Sequence, residues 1–404
     1  MASDDERARK RLVLCCDGTW NRPDKEHVTN IEKIARTVET DLRRTDGVQQ
    51  LVLYLSGVGA GSYAVDRILG GAFGFGLFAN VRSAYRFLAL NYDPGDEIFV
   101  FGFSRGAYTA RSVVGMVGRV GLLSREALVA DKLGEAVERY RAGAGGVTTY
   151  ADSPEEFKSK YCHAEARVTL LGVFDTVGAL GVPGALGHKS QFHDVNLGTI
   201  VDCARQALAL DERRLKFEPC LWEAADPART EDERSGRVQQ VWFRGVHSDV
   251  GGGYAETGLS DTTLHWMTSE ATRLGLVFDQ RLLDVYVASG GADIEHSSMS
   301  TMFRALNTVS STRMALRRSG RRFVHGWRRL DPRPDKAPPE RTVGVRVAAT
   351  ALEDYRQGTA YRRPNLVEYV EQSHDLADVA AAVLRLPEQV AELLAGPSEK
   401  SGLG

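Results

Sequence analysis

Cysteine is scarce in this sequence: five residues among 404 (Cys15, Cys16, Cys162, Cys203 and Cys220), an odd number without a C-x-x-C pair. That count excludes a disulfide framework and a zinc site of the usual spacing, and it fits a reducing compartment. Apolar runs long enough to cross a bilayer are missing as well, since the most apolar windows, such as Ile98 to Phe103, have only the length of a strand. Met1 to Lys10 is polar and charged and leads straight into a strand-like segment, so no secretory leader is expected. A cytoplasmic protein is the default expectation, with export independent of a signal peptide the other route. Net charge is almost absent too: 51 basic against 53 acidic residues leave −2, which argues against a molecule built as a whole to coat nucleic acid. What is present, 43% apolar and 26% charged residues, suits a globular chain able to bury a sizeable core, in one large α/β domain or two.

Short apolar runs alternate with helix-length amphipathic segments. Arg11 to Cys16, Gln50 to Ser56 and Asp96 to Gly102 read as strands. Thr29 to Leu42, behind an Asn30 cap, and Asn80 to Asn91 read as helices. This β-α-β-α-β order predicts an α/β fold with a mostly parallel sheet covered by helices on both faces, and a site at the carboxyl ends of its strands. Further on, a helix is expected from Ser104 to about Val120, a surface excursion over Arg139 to Lys160, strands over Arg167 to Phe174 and Gln239 to Phe243, a helix over Val201 to Leu210, and a charged loop over Ala224 to Arg237. Beyond about Asp284 the alternation fades, and a final helix is expected from Asp375 to Leu386 or beyond.

Three strand ends carry reactive residues. Gly102-Phe-Ser104-Arg-Gly106 is G-x-S-x-G between a buried strand and a small-residue helix start, the context of a nucleophile elbow. The backbone N–H of Arg105 is then a candidate oxyanion donor. A serine nucleophile needs a base, and the base needs an orienting carboxylate. His247, in the glycine-rich Arg244 to Tyr254 segment, is the best placed of nine histidines for the first role. For the second, Asp175 at the end of an apolar strand competes with Asp249, two residues from the histidine, and with Asp17 at the end of the first strand. Chain order favours Asp175, because Ser104, Asp175, His247 is the order of α/β-hydrolases; Asp17 and Asp249 then support the loops.

Taken together, these segments resemble the α/β-hydrolases of domain of unknown function 2235, a family that includes the catalytic domains of type VI secretion phospholipase effectors of the Tle1 type. The resemblance rests on Leu14-Cys-Cys-Asp17-Gly18-Thr19-Trp-Asn21, Gly102 to Arg111, Val173 to Gly178, Ala207 to Arg214 and Gly245 to Tyr254, and it spans residues 11 to about 290. It implies Ser104 as nucleophile, Asp175 as acid and His247 as base, with the Asp17-Gly18-Thr19 turn beside the oxyanion site. It also implies hydrolysis of carboxylic esters, lipid or phospholipid esters first among them, and no cofactor. A small-molecule esterase or thioesterase and a non-catalytic binding protein on the same fold are the alternatives. Residues 11–290 are expected to form the catalytic domain, and residues 291–404 an Arg-rich and helical extension packed on it.

Other patterns lead less far. Asp-Gly-Thr after a strand is similar to the D-x-D-G-T phosphatase signature, but the nucleophilic aspartate of that signature falls at Cys15, which forms no aspartyl-phosphate. Gly57-Val-Gly59-Ala-Gly61 lacks the helix and acidic residue of a dinucleotide fingerprint, and no metal-ligand spacing is recognisable, so no metal is expected. Gly70 to Phe78 interleaves glycine with large apolar residues and reads either as an oily entrance loop or as a tight connection. His296 to Leu330 holds eight arginines and no lysine, aspartate or glutamate, so +8 there is set against −10 elsewhere. That segment is expected either to pair within the acidic remainder or, over residues 304–329, to touch a membrane surface; nucleic acid is not expected.

Overall fold

The structure, a computed structural model, describes residues 9–18, 26–57, 72–143, 150–177, 197–215, 217–287, 294–299, 323–324, 326–330, 340–356, 363–372 and 383–384. Eight parallel strands form one sheet: β1 (Lys10–Cys16), β2 (Gln49–Leu55), β3 (Glu97–Phe103), β4 (Val168–Phe174), β5 (Val201–Ala209), β6 (Val238–Phe243), β7 (Val345–Ala348) and β8 (Val383–Leu384), in the order β8-β7-β6-β5-β4-β3-β1-β2. The fold is α/β with helices on both faces, of the α/β-hydrolase kind.

A parallel strand covered on both sides has no solvent face, which is why β1 and β3 read as continuous apolar runs. Leu12, Leu14, Ile98 and Val100 pack toward α2 (Ala72–Asn91) and α3 (Arg105–Val120). Val13, Cys15, Phe99 and Phe101 pack on the other face, with Ile31 and Ile34 of α1 (Asn30–Thr37). The helix that leaves β1 and the helix that leaves β2 thus cover opposite faces. The strand order reverses between β1 and β3, and a crevice opens at their carboxyl ends.

Several expectations change. Val201 to Leu210 is strand rather than helix through Ala209: β5 pairs with β4 and β6, and every one of its residues except Asp202 is buried. Its three alanines and Leu208 favour a helix intrinsically, but a central position with both faces covered overrides that preference. The expected loop over Ala224 to Arg237 contains α4 (Asp226–Ser235), and Ala72 to Phe78 is not loop but the start of α2, with Leu77 buried. The cap of α1 is Thr29, whose hydroxyl accepts the Glu32 N–H, rather than Asn30. Of the expected final helix, Val383–Leu384 is strand β8, and the rest lies outside the described residues.

Beyond residue 290, β7 and β8 extend the sheet, and α8 (Pro364–Gln372) packs Leu366 with Leu208, Trp242, Leu330 and Val347 in a common core. Three more helices, α5 (His247–Gly251), α6 (Gly258–Arg273) and α7 (Gln280–Val287), follow β6. Among the described residues no helix is long and apolar enough to cross a membrane.

Candidate active site

Ser104 lies between the last residue of β3 and the first of α3, with φ 57° and ψ −121°. A side chain in that region costs on the order of 1–3 kcal/mol, which the surrounding structure must hold in place. It does so through the sheet: the Ser104 N–H donates to the Phe174 carbonyl at 3.0 Å, continuing the β3–β4 ladder. The flanking glycines leave no alternative. A Cβ on Gly102 would stand 2.6 Å from the Ala107 Cα, and one on Gly106 would stand 2.2 Å from the Cys16 carbonyl oxygen and 2.4 Å from that of Asp17. The start of α3 therefore rests directly on the end of β1, at the point where the strand order reverses.

Asp175, one residue past β4, is also held at positive φ (40°), and its N–H donates to the Ala207 carbonyl at 2.7 Å. His247 opens α5 just beyond β6. The sheet order sets the ends of β3 and β4 next to each other and the end of β6 one strand further on, beyond β5, with His247 Nε2 2.8 Å from Ser104 Oγ and His247 Nδ1 2.5 Å from Asp175 Oδ2. With the imidazole proton on Nδ1, facing the carboxylate, Nε2 is the acceptor for the serine hydroxyl. Phe103 packs against the ring at 4.7 Å between centroids and Phe217 meets it edge-on at 4.9 Å, so the imidazole sits between two apolar walls.

The electrostatics follow from that burial. Burial by itself would raise the proton affinity of Asp175, but the Arg328 charge and the His247 hydrogen bond outweigh it and hold the carboxyl well below the usual range. Arg328 is fully buried and reaches both oxygens, Nη1 to Oδ1 at 2.6 Å and Nη2 to Oδ2 at 3.0 Å. For His247, burial depresses the pKa below 6.5, and the opposing pull of Asp175 does not fully offset it. Glu212, whose carboxylate accepts the His247 backbone N–H at 3.3 Å, is pushed up by burial but brought down to about 2 by Arg214.

The other sequence candidates are placed differently. Asp17 accepts the Thr29 and Tyr54 hydroxyls at 2.6 and 2.7 Å and the Gly18 N–H at 2.6 Å, so it fixes the turn after β1 and does not reach the histidine. Asp249 accepts the Val246 N–H at 2.9 Å and meets His296 Nδ1 at 2.6 Å, holding the loop that carries His247. Arg105 is the first residue of α3, where first-turn amides point out along the helix axis. Gly18 is buried beside the end of β1, and Thr19 lies outside the described residues. Most of the 304–329 segment lies outside them as well. Of its described part, Phe323 and Arg328 are buried, so Arg328 belongs to the interior and not to a membrane-facing surface.

Sequence reasoning missed Arg328, Glu212 and Arg214. The last two stand in Asp211-Glu-Arg-Arg214, a charged cluster directly after a buried strand, which was the available signal; nothing local marks Arg328 among its seven neighbouring arginines. A cavity of about 260 Å³ lies elsewhere, lined by Arg111, Val114, Leu171, Ile200 and Trp222, and none of Ser104, Asp175 and His247 borders it.

Residues 10–270 match the family model described as T6SS, Phospholipase effector Tle1-like, catalytic domain. A curated relative, the uncharacterized protein YEL023C of Saccharomyces cerevisiae, is 33% identical over 227 residues, covering 52% of this chain and 32% of its own length, so the chain spans about a third of that relative. Among solved structures, an uncharacterized protein from Pseudomonas aeruginosa is similar with a TM-score of 0.37 at 15% identity, over 96% of this chain and 62% of that one. The Tle1 effector bound to the VgrG spike from the Type 6 secretion system gives a TM-score of 0.33 at 19% identity, over 61% and 51%.

Proposed function

Because the chain belongs to the Tle1-like phospholipase effector catalytic-domain family, a family of lipid ester hydrolases, we propose that it cleaves carboxylic esters of lipids through a serine nucleophile and an acyl-enzyme. Ser104 Oγ attacks the ester carbonyl while His247 Nε2 takes its proton. Asp175 keeps the imidazole in the right tautomer and stabilises the imidazolium, which then protonates the departing alkoxide. The Arg105 amide, at the positive end of α3, is aimed at the oxyanion of the tetrahedral intermediate. Water, deprotonated in turn by His247, releases the fatty acid. None of these steps calls on a metal or cofactor.

The observation that carries this reading is the unbroken Ser104–His247–Asp175 contact at 2.8 and 2.5 Å, made at the carboxyl ends of three strands. The experiment is labelling with a fluorophosphonate, in which the Ser104 Oγ–P bond forms as fluoride leaves. The protein is expected to label covalently and Ser104→Ala to abolish labelling; a folded Ser104→Ala protein that still labels would sink the nucleophile assignment. Substrate class follows from comparing soluble acyl esters of rising chain length with phospholipid vesicles. Rates that climb with chain length and on vesicles support a lipase, and turnover confined to short soluble esters would refute the lipid assignment.

A further inference from the structure

Asp175 is saturated. Its Oδ1 accepts the Ala209 N–H at 3.0 Å and Arg328 Nη1 at 2.6 Å; its Oδ2 accepts Arg328 Nη2 at 3.0 Å and faces His247 Nδ1 at 2.5 Å. Arg328 is saturated as well. Beyond the two carboxylate bonds, Nη1 donates to the Ala209 carbonyl at 3.1 Å, Nε donates to the Phe217 carbonyl at 3.0 Å, and Nη2 donates to that same carbonyl. All five guanidinium protons are used, which makes the fork a rigid clamp rather than a loose counter-ion. Phe217 is also the residue whose ring stands edge-on to the imidazole.

The clamp comes from far along the chain. Arg328 ends a short hairpin, Phe323–Val324 with Trp327–Arg328, beyond the segment that matches the family. Its own carbonyl accepts the Asn365 side-chain amide at 2.9 Å, and that amide also donates to Leu210 at 2.9 Å. The Arg213 and Arg363 guanidinium groups approach the Trp327 ring at 4.8 and 5.2 Å from its centroid, and Arg363 pairs with Asp211, whose carboxylate accepts the Gly245 N–H at 2.7 Å. The hairpin and α8 therefore grip both the acid and the loop that carries the base.

Resting on the serine-hydrolase reading above, we propose that Arg328 is a positioning residue for the reaction: it locks the Asp175 carboxylate toward His247 Nδ1 and, by sharing Oδ2 with the imidazole, offsets the negative charge behind the base. The family-matched segment holds Ser104, Asp175 and His247, yet its acid is set by an arginine outside it. The charged groups that act on His247 directly are Asp175 beyond β4 and Glu212 and Arg214 beyond β5, and Arg328 from the hairpin stands behind them on Asp175. Glu212 and Arg214 pair with each other at 2.8 Å, which leaves Arg328 as the counter-charge on the acid itself. Removing a positive charge from the His247–Asp175 pair raises the affinity of that pair for its first proton, whichever of the two residues carries it.

The test is the pH dependence of fluorophosphonate labelling between about pH 5 and 9, where histidine titrates. In the unsubstituted protein the acid limb is expected to fall below the ordinary histidine value of 6.5. In Arg328→Gln it moves up by about one to two pH units, with labelling at low pH slowed roughly tenfold or more. Arg328→Lys, which keeps the charge but not the fork, returns the limb toward its original position while the rate stays reduced. A folded Arg328→Gln protein whose limb does not move overturns the proposal, and so does a limb shared by the Gln and Lys variants. If neither variant folds, a limb at or above about pH 7 in the unsubstituted protein overturns it. Failure here, with labelling still abolished by Ser104→Ala, would leave the nucleophile assignment standing.

Discussion

Replacing Asp175 by asparagine changes one atom and should disable the base. Two donors, the Ala209 N–H and Arg328 Nη1, converge on the Oδ1 position at 3.0 and 2.6 Å, so the amide oxygen of asparagine is held there. Its NH₂ group must then occupy the Oδ2 position, pointing hydrogens at His247 Nδ1 and at Arg328 Nη2. The imidazole can only accept at Nδ1, which moves its own proton to Nε2, 2.8 Å from Ser104 Oγ, where an acceptor is needed. A tautomer error of this kind lowers the chemical step by about 10⁴-fold. The substitution also leaves a fully buried guanidinium without its counter-charge, at a cost of about 3–5 kcal/mol. For 404 residues, an unfolding entropy of ~2.1 cal/mol/K per residue turns that cost into a fall in melting temperature of roughly 4–6 °C. The assay is the fluorophosphonate labelling rate at neutral pH beside a thermal melt of the same sample. Labelling within about tenfold of the unsubstituted protein would refute the tautomer reasoning. A melting point unchanged by the substitution would refute the claim that Arg328 depends on this carboxylate.

Two further outcomes follow from the geometry. Gly106→Ala puts a methyl 2.2 Å from the Cys16 carbonyl oxygen, so α3 must retreat by about 1 Å and carry Ser104 with it; labelling should drop about 100-fold, and stability should fall by about 1–3 kcal/mol. Normal labelling and melting of that variant would contradict the close approach of α3 to β1. Glu212 supplies a pH-dependent component of stability: its carboxyl sits at about 2 in the folded protein against an ordinary 4.5, so its contribution is fully present above 4.5 and is lost as pH falls through 2. That contribution is on the order of 3 kcal/mol, and Asp175, also lowered, adds to the loss at the acid end. The melting temperature should begin to slip below about pH 6.5, where the buried neutral His247 binds a proton more readily once unfolded, and fall further below about 4.5; Glu212→Gln should flatten that second fall, and an identical acid profile for that variant would rule out the assignment.

What was legible in the sequence was local. β1 and β3 announce themselves because parallel strands covered on both faces need uninterrupted apolar runs, and the elbow announces itself because Gly102 and Gly106 are the only residues that fit its contacts. Local signals misled where position outweighs propensity: β5 carries three helix-favouring alanines and a leucine, yet its place between β4 and β6 makes it strand. The charge of the Arg-rich segment was legible as a total, but a total does not say which arginine turns inward.

The sequence by itself determined the strand-helix alternation, the serine at the end of one strand, and a short list of aspartates able to serve the histidine. Chain order favoured Asp175, and only the tertiary structure sets one of the three against the imidazole. Asp17, Asp175 and Asp249 are equivalent as carboxylates, and it is the order of strands in the sheet that sets β4 beside β3 and brings Asp175 to a histidine 72 residues away and to an arginine 153 residues away. Contacts across such separations come from the packing of the whole sheet and its C-terminal hairpin, and no local pattern encodes them.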